Sequence, residues 1–113
     1  MRVYNASRGV FLAHNTIVAD SFFARFMGLM GRPNLPRGWC MVLNPCRSIH
    51  TMFMRFPLDI IFLDGENRVI FQVHEMPPFR FTSIIRKSKL VIELESGSLA
   101  FTGTTRGDII DFC

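Results

Sequence analysis

Short apolar runs separated by turn-forming residues fill the chain after Gly38, and no other feature of the sequence constrains the fold as much. The clearest pair is residues 59–63 and 68–74, which are rich in β-branched and aromatic side chains and flank the turn formers of residues 64–67. This arrangement is typical of a β-hairpin. Further strands are predicted over residues 39–43, 50–54, 90–94 and 108–112.

The first third of the chain predicts short strands around Val3, residues 10–12 and residues 16–19, followed by one helix near residues 20–30. The helix has Asp20 or Ser21 as its N-cap and Gly31 as its stop. The apolar residues at helical spacing are Phe22, Phe23, Phe26, Met27 and Met30. Gly28 falls inside this helix and is expected to permit a close backbone approach. The whole pattern predicts a mainly β (α+β) fold, a small barrel or sandwich with one short helix.

Composition places the chain among single globular domains. It has 113 residues, of which 49% are hydrophobic and 19% charged, and we expect residues 1–113 to form one domain. No apolar run approaches the roughly 18 to 20 residues that span a bilayer, and residues 1–15 lack an apolar signal segment. The three cysteines are expected to be thiols, because an odd number does not pair fully. These features together predict a cytoplasmic protein.

Charge is distributed unevenly along the chain. Residues 1–57 hold seven arginines and one acid, for a net charge of +6, whereas residues 58–113 have a net charge of −2. The planar guanidinium group of arginine can form two hydrogen bonds to one carboxylate or phosphate. These residues therefore either face an anion or pair with the acids of the second half of the chain. The net charge of the whole chain, +4, argues against a nucleic-acid partner.

Several sequence blocks occur in order along nearly the whole chain: residues 28–32, residues 50–64, residues 91–94 with Gly97, and the pair Gly107-Asp108. This set resembles the bacterial and archaeal family catalogued as domain of unknown function 192. The resemblance implies a small, mainly β, barrel-like domain with a short helix, and no established activity, catalytic residue or cofactor. The chain departs from the family pattern at Glu95-Ser96, where other members often have a proline before the glycine.

The central block supplies the candidate ligand site. We predict that a polar or anionic ligand binds where His50, Thr51, Arg55 and Asp59 meet the helix end at Arg32, and that the arginines hold it. If residues 50–54 form a strand, His50 and Thr51 lie on opposite faces. For Asp59 three roles remain open: accepting backbone amides at the turn, pairing with Arg55, or lining a pocket mouth.

Cys46 and His50 are the candidates for an enzyme, in which they would serve as nucleophile or base. On an extended strand their separation would be about 13 Å, too far for a thiolate–imidazole pair, whereas a helical turn would bring them together. Arg47 could lower the pKa of the Cys46 thiol, although cysteine is also commonly an inert buried residue. The scattered Cys40, Cys46, His50 and His74 do not have zinc-site spacing, so we predict no metal and no cofactor.

A second candidate surface is the loop that contains Phe79, Arg80 and Phe81. Its aromatic rings and its cation could dock a protein partner or stack on bases or sugars, or the rings could close one end of a barrel. The methionines either line an adaptable groove or fill the core. The function that the sequence favours is a small non-catalytic binding or adaptor domain, for a polar or anionic ligand or for a protein partner.

Overall fold

Eight strands in two sheets and two short helices form the protein. The computed structural model describes all residues, 1–113. The elements are β1 (Val3–Asn5), β2 (Val10–Ala13), β3 (Asn15–Ala19), α1 (Phe22–Met27), β4 (Trp39–Leu43), β5 (Leu58–Leu63), β6 (Val69–Met76), β7 (Leu90–Glu95), α2 (Ser98–Thr102) and β8 (Ile110–Phe112). The mainly β fold predicted from the sequence is confirmed, in a sandwich-like form without a closed barrel. Neither helix is long and apolar enough to cross a membrane.

The larger sheet has the strand order β3-β4-β7-β5-β6, and the smaller one has the order β2-β1-β8. The predicted hairpin is confirmed as β5 and β6, in which Ile60 pairs with Val73 and Phe62 with Phe71. Strands β3 and β4 run parallel, and the other neighbours in the larger sheet run antiparallel. Strand β7 lies between β4 and β5, so the apolar run of residues 90–94 is central in the sheet.

Both faces of the larger sheet are covered. One core cluster, which includes Ile61, Ile92 and Leu99, joins the sheet to β1, β2, β8 and α2. The other cluster, which includes Leu29 and Ile60, lies on the opposite face under α1 and the long connections. Because successive side chains of a strand point to opposite faces, β5 and β7 contribute to both clusters.

Helix α1 confirms the helix predicted near residues 20–30, but it ends earlier. The Ser21 hydroxyl accepts a hydrogen bond from the Ala24 amide at 3.1 Å, as an N-cap does. The helix ends at Gly28, whose φ of 47° and ψ of −127° suit glycine, and not at Gly31. A Cβ at Gly28 would lie 3.5 Å from Oε1 of Glu93, so the helix end lies directly against β7.

The predicted strand over residues 50–54 is wrong. His50 forms one isolated bridge with Phe81, and the chain then turns, with Phe53 at a φ of 60° and the Met54 amide donating to the Thr51 carbonyl. The segment hydrogen-bonds to a loop instead of to a sheet, because both the backbone and the side chain of Thr51 bond to the 77–80 connection. Helix α2, a single short turn between two glycines, was not predicted.

Asp59 links three elements of the fold. It is fully buried on β5. Its Oδ1 accepts from the Glu75 amide at the end of β6, and its Oδ2 accepts from the Leu99 amide in the first turn of α2, both at 2.8 Å. Of the roles that the sequence left open, the structure gives Asp59 that of an acceptor of backbone amides, and it forms no ion pair with Arg55.

We expect Asp59→Ala to lower the free energy of unfolding by about 3 kcal/mol, because two backbone amide groups lose their hydrogen-bond acceptor in a buried setting. Urea unfolding of the two proteins measures the difference. Asp111→Ala is the matched control, since it removes an exposed aspartate from β8, and we expect a change within about 0.5 kcal/mol. Equal stability of Asp59→Ala and the wild type would contradict the assigned role.

Candidate functional site

A cleft of about 340 Å³ opens between α1 and the chain that follows β4. One wall is α1 with residues 28–30, and the other is formed by residues between 43 and 54. Glu93 of β7 lies at the floor. Ten of the 17 lining residues are hydrophobic, and the polar groups are few, which is the usual composition of a ligand pocket.

His50 links the two walls of the cleft by hydrogen bonds. Its Nε2 lies 2.9 Å from the Phe26 carbonyl of α1, and its Nδ1 accepts from the Met52 amide at 3.1 Å. Because Nδ1 accepts a hydrogen bond, Nε2 carries the proton and donates it to the carbonyl. Both ring nitrogens are therefore engaged, and the imidazole has no free nitrogen with which to act as a base.

Glu93 is the most unusual polar group of the cleft. Its side chain is buried, between Met41 of β4 and Ile60 of β5 in the register of the sheet, and its Oε1 has no hydrogen-bond partner. Burial raises the pKa of Glu93 to about 8, because the charged form loses its hydration. At neutral pH the cleft floor is therefore a neutral carboxylic acid. The sequence signal for this site was the one charged residue inside the apolar run 90–94, and sequence reasoning missed it.

Cys46 lies in the same cleft, half-buried, and its Sγ donates to the Ser48 carbonyl at 3.1 Å. Burial raises the pKa of the Cys46 thiol. Burial is the largest effect, and it outweighs the charge of Arg25, which lowers that pKa. The sequence suggested that Arg47 could lower it, and the net direction is the opposite. The thiol is therefore not activated as a nucleophile.

Of the five residues predicted to bind a ligand, only His50 lines the cleft. The Thr51 hydroxyl is buried against the 77–80 connection, and Asp59 belongs to the opposite core with α2. Arg32 and Arg55 are exposed and do not line the cleft. Thr51 and Asp59 hydrogen-bond to backbone groups that are distant in sequence.

The arginines that line the cleft are Arg25 and Arg47, neither of which was predicted from the sequence to bind a ligand. Arg25 donates to the Asp20 carbonyl at 2.7 Å, and Arg47 is exposed. The alternative that the arginines of the first half pair with acids of the second half holds only for Arg8, whose Nε lies 2.8 Å from Asp108. The two cations of the cleft are therefore not neutralised by a carboxylate.

Phe79, Arg80 and Phe81 are all exposed, beside the turn that follows His50. They do not close an end of a barrel. All three cysteines are free, and no group of three or more histidine, cysteine, aspartate or glutamate side chains is placed to hold a metal ion.

Comparison with known proteins places the chain in a family. The family model DUF192, described as "Uncharacterized ACR", matches residues 3–112. The chain belongs to the DUF192 family. A UPF0127 protein of Thermococcus sibiricus is 33% identical over 112 residues, which cover 96% of this chain and 72% of that protein. A UPF0127 protein of Pyrococcus furiosus is 29% identical over 113 residues, which cover 96% of this chain and 95% of that protein.

A solved structure has the same fold. The crystal structure of a protein of unknown function from Novosphingobium aromaticivorans aligns with a TM-score of 0.84 at 22% identity, and the alignment covers 98% of this chain and 82% of that chain. The resemblance found in the sequence blocks is thus confirmed at the level of the family and of the fold. The description of the DUF192 family assigns it no activity.

Glu93 is expected to make stability depend on pH. Its pKa is about 8 in the native state against an ordinary value of 4.5, so between these pH values the native protein holds a proton that the unfolded chain has lost. Stability from this group is fully present below the ordinary value and is lost as pH rises toward 8, by about 1.4 kcal/mol per pH unit. The Glu93→Gln variant has no ionisable group at this position, so it does not lose this stability. The difference in free energy of unfolding between the variant and the wild type should therefore shift in favour of the variant as pH rises.

Urea unfolding from about pH 5 to pH 8 measures the difference between the two proteins. Glu66→Gln makes the same chemical change at an exposed turn residue, and it should follow the wild-type profile. Parallel profiles for the wild type and Glu93→Gln would mean that Glu93 is ionised in the native protein.

The cysteines should differ in their reaction with iodoacetamide at neutral pH. Cys113 is exposed and should be modified first. Cys46 should react more slowly because burial raises its pKa, and the fully buried Cys40 should react only on unfolding. Mass spectrometry of timed samples gives the order. Modification of Cys46 ahead of Cys113 would instead favour the enzyme with a Cys46 nucleophile.

Proposed function

We propose that the protein is a binding domain and that the cleft between α1 and residues 43–54 holds a small ligand with an anionic or hydrogen-bonding head and an apolar body. The observation that carries this proposal is the Glu93 carboxyl group, which is buried at the cleft floor and has an Oε1 without a partner. A buried polar atom without a partner costs about 1 to 3 kcal/mol. A ligand atom in the cleft would supply the missing hydrogen bond.

The chemistry of the walls narrows the ligand. The apolar side chains of Phe22, Phe26 and Met52 favour an alkyl or aryl body, and methionine adapts to irregular shapes. Arg25 and Arg47 favour a carboxylate or phosphate group. At about 340 Å³ the cleft lies at the small end of the range for ligand pockets, so we propose a ligand smaller than a typical cofactor.

A binding role is favoured over an enzyme for two reasons. Both ring nitrogens of His50 are engaged, so His50 is not placed as a base. Burial raises the pKa of Cys46, so the thiolate that a nucleophilic enzyme needs is disfavoured. Arg25 and Arg47 replace Arg32 and Arg55 as the anion-holding residues in this proposal, since only the former pair lines the cleft.

Thermal unfolding with straight-chain carboxylates, with the same carboxylates bearing a terminal hydroxyl group, and with inorganic phosphate tests the proposal. We expect the midpoint to rise most with the hydroxycarboxylates, because the carboxylate meets the arginines, the alkyl chain meets the apolar walls and the hydroxyl bonds to Glu93. A probe at ten times its Kd stabilises the native state by about 1.4 kcal/mol, or about 5 °C for a domain of this size.

Two variants of cleft residues test whether the shift in midpoint comes from binding in the cleft. Arg47→Gln and Glu93→Leu should each remove most of the shift, whereas Arg106→Gln, which removes an exposed arginine that does not line the cleft, should keep it. The proposal fails if no probe raises the midpoint, or if the shift is equal in all three variants.

A further inference from the structure

Three segments, two that line the cleft and one that is hydrogen-bonded to the second of them, form one continuous surface. We name this surface the aromatic face: residues 20–32, 44–57 and 77–89. Hydrogen bonds join the segments to each other. The first meets the second where the Gly31 amide donates to the Phe53 carbonyl at 3.3 Å. The second meets the third where the Thr51 amide donates to the Arg80 carbonyl at 2.7 Å, and where His50 bridges Phe81.

The aromatic face contains many exposed apolar side chains. Its exposed phenylalanines are Phe22, Phe23, Phe26, Phe53, Phe79 and Phe81, and Met52 and Ile84 are exposed beside them. Helix α1 buries none of its own residues, and Phe22 is 79% exposed. Single exposed apolar residues are ordinary, but a contiguous group of them marks a surface that binds something.

The same face carries most of the positive charge. Its three segments contain eight lysine and arginine residues and one acid, Asp20, for a net charge of +7. The rest of the chain contains five basic and eight acidic residues, for a net charge of −3. The partner of the aromatic face therefore has to accept apolar side chains and neutralise cations over the same area.

An anionic bilayer surface fits this combination better than a nucleic acid does. Bases stack on free ring faces, whereas Phe53 and Phe79 pack edge to face at 5.6 Å, and Phe26 packs against His50 at 5.2 Å. Exposed phenylalanine together with arginine and lysine is typical of proteins that lie in the interface of a membrane. We propose that the aromatic face binds the surface of anionic lipid bilayers, with Phe22 and Phe23 inserted among the lipids.

Co-sedimentation with vesicles tests this proposal. The protein should bind vesicles of phosphatidylcholine mixed with phosphatidylglycerol, and salt should weaken the binding. The double variant Phe22→Ser, Phe23→Ser should partition at least about tenfold more weakly, because two phenyl rings no longer enter the lipid. Phe101→Ser is the matched control, since Phe101 is 90% exposed on α2, outside the aromatic face, and this variant should bind as the wild type does.

A second pair of variants tests the charge. Arg86→Gln with Lys87→Gln should weaken binding by about thirtyfold, at about 1 kcal/mol for each cation. Arg68→Gln with Arg106→Gln removes the same charge from exposed residues outside the aromatic face and should have a smaller effect. All of these side chains are exposed, and urea unfolding checks that each variant remains folded.

Several outcomes would overturn the proposal: no binding to anionic vesicles at low salt, equal binding to pure phosphatidylcholine, or equal loss in the Phe101→Ser control. Binding to a single-stranded oligonucleotide without binding to vesicles would assign the face to nucleic acid instead. Dimerisation that is lost with Phe22→Ser, Phe23→Ser, without vesicle binding, would assign it to a second copy of the chain. None of these readouts depends on the carboxylate probes, so this proposal and the cleft proposal can fail separately.

Discussion

Burial of the larger sheet on both faces is the constraint on which the rest of the structure depends. Every residue of β5 is buried, as are the first five residues of β7, so each face of these strands needs its own cover. The smaller sheet and α2 cover one face with regular structure. The other face has only α1, of six residues, and long connections. A cover of that kind cannot close completely over the sheet, and the cleft is the part that stays open.

The open side is held in shape by hydrogen bonds from side chains to backbone. His50 ties the Phe26 carbonyl to the Met52 amide, and Thr51 ties the turn at residues 51–54 to the 77–80 connection. Such bonds fix connections that have no ladder of their own, and they satisfy backbone groups that burial would otherwise leave unpaired. The polar residues of the central sequence block thus hold the connections around the cleft in place. The polar groups inside the cleft include those of Glu93, Cys46, Arg25 and Arg47.

The sequence predicted the strands and the helix because their signals are local, as in the turn formers between β5 and β6 and the apolar spacing of α1. The segment 50–54 misled the prediction because an apolar run does not reveal whether its amides bond to a strand or to a loop. Thr51 and Asp59 were predicted as ligand-binding residues, but their partners lie 16 to 40 residues away in sequence. Glu93 was visible as an acid within an apolar run, yet which face of the strand it occupied, and what covered that face, required the fold.

Asp59 and Glu93 are acids on neighbouring strands of one sheet. They differ in whether their oxygen atoms are bonded within the protein, and this difference distinguishes a structural acid from one that can bind a ligand. Asp59 accepts two backbone amides, so its burial is compensated within the chain. The Oε1 of Glu93 is buried without such a partner, and Glu93 is among the residues that line the cleft. Native proteins leave few buried polar atoms unpaired, and those that remain call for an explanation. The lining of the cleft around Glu93 combines a neutral acid, apolar side chains and two arginines. A ligand with both polar and apolar groups would contact all three, which a purely structural role for Glu93 does not explain.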